Sequence, residues 1–189
     1  RHVKAVPGRK TDVADAQWLA SLARAGLLNA SFVPKTDIRH LRLISRQRQK
    51  LVGMLASEKN CMHKVLSDAG IRPGVVVSDL HGLSARLMVK ALIAGKSVPD
   101  VLSLASNRLR ASREEIFESE DLTSAHRFVL TEVMAHIESL EDRIDRFDAE
   151  LLRCLQEADY RIPLQLLQTL SGIDLMGAAM LLVEIGGDM

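Results

Sequence analysis

The apolar positions of this 189-residue chain recur at steps of three and four, the spacing of one face of an α-helix. The cleanest run is Leu130, Val133, Ile137, Leu140, Ile144, Phe147, Leu151 and Cys154, a coiled-coil seam flanked by Glu138, Glu141, Arg143, Asp145, Arg146 and Asp148. A second frame passes through Leu41, Ile44, Leu51, Leu55, Met62 and Val65, with Arg48 and Glu58 standing at two of its positions. These patterns predict one long helix from about Thr36 to Ala69, stopped by Gly70, and another over about 122–158. Two outcomes fit the second seam: an antiparallel hairpin with the first long helix, or a coiled coil that joins copies of the chain.

Shorter helices follow from the same signals. One runs from about Thr11 to Leu28 and ends near Gly26 or Asn29. Phe32-Val33-Pro34 is an extended link, because a residue before proline is pushed out of the helical region. Residues 70–80 read as a loop, Gly82 to Ala94 as a helix ended by Gly95, and 98–121 as two short helices with breaks at Asn107 and Ser112. The last segment reads as a helix from Leu164 to Leu170, a turn at Ser171-Gly172-Ile173-Asp174, and a helix from Met176 to Ile185. Val75-Val76-Val77 is the one β-branched run, and it is short. The fold class expected is all-α.

Charge changes the picture more than composition does. The net charge is +1, but residues 1–64 hold 13 Lys and Arg against 4 Asp and Glu, and residues 111–159 hold 5 against 14. A basic first third suggests a polyanion partner, or pairing with the acidic helix; the two are compatible. Arg39, Arg42, Arg46 and Lys50 make a basic stripe along one side of the first long helix. The acidic second helix would be repelled by phosphates. Six aromatic residues are too few for a base-stacking platform. No apolar run reaches the roughly 18 residues of a membrane span, so no membrane partner is expected. Cys61 and Cys154 fit a reducing cytosol rather than a disulfide scaffold.

Candidate chemistry centres on Asp12 and Asp15, three residues apart at a helix start and beside Arg9 and Lys10. Carboxylates at that spacing share a helix face, where hard cations such as Mg²⁺ find oxygen ligands. The alternative is Asp12 as N-cap and Asp15 as its partner at N3, an acidic capping box. Asp79 with His81, and Cys61 with His63, are too sparse to be metal sites. In the last turn, Asp174 stands where a helix-hairpin-helix carries a second glycine; a carboxylate there repels phosphate and caps the helix instead. Gly177, Ala178 and Ala179 are expected to permit close helix packing.

Residues 10–34, KTDVADAQWLASLARAGLLNASFVP, resemble the end of the RuvC-like nuclease domain of the DEDD-type insertion-sequence transposases, the bacterial recombinases guided by a bridge RNA. Residues 39–60 resemble that family's basic helix, 78–95 its short motif of Asp, Gly and small residues, and 166–188 the opening of its C-terminal transposase domain. The resemblance implies DNA strand cleavage and rejoining in transposition. It implies Asp12 and Asp15 as the last two members of the Asp-Glu-Asp-Asp set that holds Mg²⁺. It also implies Lys10, Arg39, Arg42, Arg46 and Lys50 on nucleic-acid phosphates. DNA, a guide (bridge) RNA and further copies of the chain are the partners it suggests, in the bacterial cytoplasm at the nucleoid.

The family's first Asp and its Glu, and the serine nucleophile of its C-terminal domain, have no counterpart among these residues, so the chain reads as an internal fragment that is inactive alone. The expected divisions are 1–34 for the end of the nuclease domain, 35–121 for a basic helical region, 122–159 for a coiled-coil linker helix and 160–189 for the start of the C-terminal transposase domain. The alternative is a non-catalytic helical module for oligomerisation or nucleic-acid binding, with the aspartates as caps.

Overall fold

A computed structural model describes residues 11–28, 35–71, 82–104, 122–157 and 160–186. Among them are seven helices and no strand: α1 (Asp12–Arg24), α2 (Thr36–Asp68), α3 (Leu83–Ile93), α4 (Val98–Ser103), α5 (Ser124–Glu157), α6 (Arg161–Gln168) and α7 (Leu175–Ile185). The all-α expectation holds. The chain divides into two units, Arg1–Lys35 and Thr36–Met189. The Val75–Val77 run, Asp79, His81 and the breaks at Asn107 and Ser112 lie outside the described residues.

In the first unit, Thr11 is extended (φ −129°, ψ 147°) and its hydroxyl accepts from the Ala14 N–H at 3.3 Å. Thr11 is therefore the N-cap and Asp12 the first helical residue, a correction by one position to the Asp12 capping box. The helix stops at Arg24 rather than Leu28. Gly26 adopts φ +68°, and the Gly26 and Leu27 amides turn back onto the Ala23 and Leu22 carbonyls. That pair of reversed bonds needs a left-handed residue, which glycine supplies without a Cβ penalty.

The second unit is built on an antiparallel hairpin of α2 and α5. Arg48 meets Asp148, Glu58 meets His136 and Asp68 meets His126, so residue numbers climb on one helix as they fall on the other. At 1.5 Å per residue each helix is about 50 Å long. The expected seam is buried within this one chain: Leu130, Ile137, Leu140 and Leu151 of α5 are each at most 1% exposed, as are Leu51, Met62 and Leu66 of α2. Each such side chain stabilises the hairpin by roughly 1.5–3 kcal/mol relative to exposure. At the end of α5 the core position is Leu155, with Cys154 only partly buried. A helix of 3.6 residues per turn drifts off a strict 3.5 repeat, and the buried face moves one residue on.

Short helices close each end of the hairpin. At the far end, Met88, Val89 and Leu92 of α3 and Val101 of α4 pack with Met62, Leu66 and Leu130. Arg127 of α5 donates to the Leu92 carbonyl at the end of α3, Arg86 and Lys59 both reach Glu141, and Lys90 pairs with Glu138 at 2.7 Å. At the near end, Leu164 of α6 and Ala178, Ala179, Leu182 and Val183 of α7 pack on Ile38, Leu41, Leu151 and Leu155. The hairpin thus returns the chain's last helices to the start of α2.

Candidate nucleic-acid interface and carboxylate pair

Thr11 sets the start of α1, and with it the placement of the two aspartates. Asp12 and Asp15 stand three residues apart in the exposed first turn, hence on one face. Negative charge there is also favourable to the helix dipole, by roughly 0.3–1 kcal/mol. Two carboxylates are the right donor type for a hard cation. Among the described residues, no group of three or more His, Cys, Asp or Glu is placed to hold a metal ion. Lys10 lies outside the described residues.

The outer face of α2 carries the basic stripe. Arg39, Arg46 and Lys50 are exposed. Arg39 donates to Thr36 Oγ1 at 3.0 Å on its own helix, and Arg46 and Lys50 form no ion pair with the described residues. Arg42 is placed differently. It is partly buried, and its Nε and Nη2 donate to the Val183 and Glu184 carbonyls at 3.1 and 2.7 Å. Those carbonyls belong to the last turn of α7, where no intrahelical donor reaches them. The four stripe residues are therefore three outward cations and one that closes a helix end.

The two polar residues in the α2 seam are both paired across it. Arg48 makes a two-pronged contact with Asp148, Nη2 to Oδ2 at 3.0 Å, which raises the arginine pKa against the opposing effect of burial. Glu58 Oε1 lies 3.2 Å from His136 Nδ1. On the outer face of α5 two arginines are paired within their own helix. Arg146 pairs with Asp142, and Arg153 pairs with Glu150 and Glu157. Hydrogen bonds from Arg153, then Cys154, hold the Glu150 carboxyl down at about 2. Burial, then the hydrogen bond to Glu150, raises the Cys154 thiol.

In the final hairpin Gly172 takes φ +85°, and Asp174 is the N-cap of α7, accepting from the Gly177 N–H at 2.6 Å. The carboxylate occupies the place that a phosphate would take. Ala178 and Ala179 are fully buried, as close packing requires. Gly177 has a different reason: a Cβ there would lie 3.0 Å from Asp174 Oδ1. At the far end, His126 accepts from the Thr123 N–H through Nδ1 at 3.2 Å while Thr123 Oγ1 accepts from the His126 N–H, a reciprocal cap at the start of α5. His126 Nε2 then reaches Asp68 at 2.9 Å. A shallow cleft beside Lys64 and Val129 holds this pair, whose polar atoms are thereby committed to joining the two helices.

Sequence reasoning missed the ties of α6 and α7 to α2: Arg42 to α7, the Tyr160 hydroxyl donating to Asp37 at 2.7 Å, and Ser45 Oγ donating to Met180 Sδ at 3.2 Å. Each spans more than a hundred residues, so no local pattern announces it.

A short capped helix carrying two carboxylates, followed by a long helix with a basic outer face, is a layout suited to work on a polyanion. Residues 1–71 match the family model of the DEDD-type transposases of IS110 insertion sequences, described as "Transposase". That stretch, 71 of the chain's 189 residues, takes in Asp12, Asp15 and the whole of α2, and it is similar to DEDD transposase sequence of this type. The family points to a DNA-processing enzyme with DNA as partner. No curated protein and no solved structure matches the chain. Among the described residues no helix is long and apolar enough to cross a membrane.

Proposed function

We propose that this chain is part of an insertion-sequence transposase that cuts and rejoins DNA strands, with Asp12 and Asp15 as metal ligands and the outer face of α2 as a phosphate-binding track. The observation that carries the reading is the family match over residues 1–71, which contains both features. Asp12 and Asp15 would hold Mg²⁺ together with carboxylates beyond this pair. Such an ion, when bound, activates an attacking oxygen and stabilises a leaving one. The chain's own contribution is to hold the two carboxylates side by side on a capped helix. Arg39, Arg46 and Lys50, with Lys10, would grip DNA or guide-RNA phosphates. The α5 helix would join the nuclease segment to a C-terminal transposase domain beginning near residue 160, in a cytoplasmic, nucleoid-bound assembly of several copies.

The rival, a non-catalytic helical module, is favoured by one observation. Asp12 and Asp15 sit in a first turn where they are useful without any metal.

One titration tests both halves. The 189-residue chain is mixed with a short DNA duplex in Mg²⁺ while binding and the Asp12 and Asp15 carboxylate resonances are followed. Binding is expected, with a salt slope that falls by about 0.9 for each of Arg39, Arg46 and Lys50 changed to Glu. Both carboxylates are expected to respond to Mg²⁺ together, and Asp15→Asn to abolish the response at Asp12. Binding indifferent to the three changes removes the phosphate track; carboxylates indifferent to Mg²⁺ return the pair to helix capping.

A further inference from the structure

Arg42 stands in the middle of the basic stripe, between Arg39 and Arg46, yet spends two of its donors on α7. We infer that Arg42 is a latch shared between two acceptors: in the free chain it closes the C-terminal turn of α7, and a phosphate bound along α2 draws it away and loosens that turn. The inference rests on the phosphate-binding reading of the α2 outer face given above.

Three observations support it. The first concerns the competing acceptors. The Val183 and Glu184 oxygens are neutral carbonyls, held at 3.1 and 2.7 Å. A phosphate offers the guanidinium a charged, two-pronged partner, and charge-assisted bonds are roughly twice as strong as neutral ones. The second concerns the field. The C-terminal end of a helix carries partial negative charge, and the exposed Glu184 adds a full one. A polyanion settling on Arg39, Arg46 and Lys50 raises the negative potential beside that end, so repulsion and competition act in the same direction. The third concerns extent. Beyond Arg42, the end of α7 is closed by the Gly186 amide, which donates to the Leu182 carbonyl at 2.8 Å. Leu182 and Val183 are fully buried, and Ser45–Met180 and Asp37–Tyr160 hold α6 and α7 to α2 elsewhere. Loss of Arg42 therefore frays the last turn and leaves the docked helices in place.

The latch makes the near end of the molecule responsive to occupancy of the stripe. The last turn of α7 loosens when nucleic acid binds on α2, with no movement of the hairpin core.

Amide hydrogen exchange tests this on the whole chain. Gly186 reports on the last turn, and the Ile137 and Leu140 amides in the middle of α5 serve as internal references. Adding a short DNA duplex is expected to speed Gly186 exchange about tenfold, the scale of one such helix-end contact, with the references unchanged. Arg42→Gln is expected to show the faster rate without DNA and no further change with it. The latch is overturned if the duplex binds through Arg39, Arg46 and Lys50 while Gly186 exchange stays the same or slows. Absence of duplex binding would instead overturn the phosphate reading of α2, and the latch with it.

Discussion

Helices α2 and α5 are nearly equal in length, 33 and 34 residues, and bury the same kind of seam against each other. Their outer faces handle charge in opposite ways. On α5 two of the exposed arginines have acidic partners one turn away: Asp142 for Arg146, Glu150 and Glu157 for Arg153. On α2, Arg39 has a hydroxyl partner, and Arg46 and Lys50 have no ion pair with the described residues. What differs is whether an arginine finds a carboxylate on its own helix. A helix whose charges alternate in sign at i and i+4 needs nothing from outside. A single-sign stripe leaves its field to attract a counter-ion or a polyanion. The same hairpin thus has an acidic side with paired arginines and a basic side, and only the basic side belongs to the stretch matched by the transposase family.

The largest effect is expected where the two helices share one seam. Leu140 is fully buried at mid-hairpin with Leu51 and Ile144. Leu140→Ala is expected to cost about 2–5 kcal/mol in urea unfolding; a loss much below this would mean that the two helices do not depend on a common seam.

A smaller effect separates seam charge from surface charge. Arg48 and Asp148 are 18% and 25% exposed, whereas Arg146 and Asp142 are 69% and 68% exposed. Arg48→Ala leaves Asp148 partly buried without its partner and is expected to cost about 1.5–3 kcal/mol. Arg146→Ala is expected to change stability by no more than about 0.5 kcal/mol. Equal effects from the two would erase the distinction between the inner and outer faces of α5.

The smallest effect concerns the paired arginines on the surface of α5. The Glu150 carboxyl is held at about 2 by Arg153 and then Cys154. A carboxyl with a lowered native pKa adds stability that is present above its unfolded value, roughly 4.3. That stability is lost as pH falls through the native value. The pH window is therefore about 4 down to 2, and full exposure keeps the effect small. Titration followed by NMR should place Glu150 near 2 in the native chain, and Arg153→Ala should return it to the ordinary carboxyl range. A Glu150 that titrates unchanged in that variant would show that Arg153 is not its partner.

Much of this was legible along the chain. Gly26, Gly70 and Gly95 end helices where expected, each with positive φ. The α5 seam was found residue by residue until its last turn, where Leu155 replaces Cys154. Asp174 caps α7 as its side chain predicts. Where reading failed, it failed for identifiable reasons. Thr11 and Asp12 are both good N-caps, and only the backbone decides which is extended. Arg48 and Glu58 looked like faults in the α2 frame. They are paired with Asp148 and His136, partners visible only once the antiparallel register is known.

The sequence by itself determined the helices, their stops and the carriage of two carboxylates and a basic stripe, because periodicity, capping and glycine act over a few residues. The tertiary structure alone decided that α2 of the same chain covers the α5 seam, which seam charges find partners, and that Arg42 reaches α7. Those outcomes depend on side chains that are a hundred residues apart in the chain and a few ångströms apart in space, and no local spacing encodes that distance.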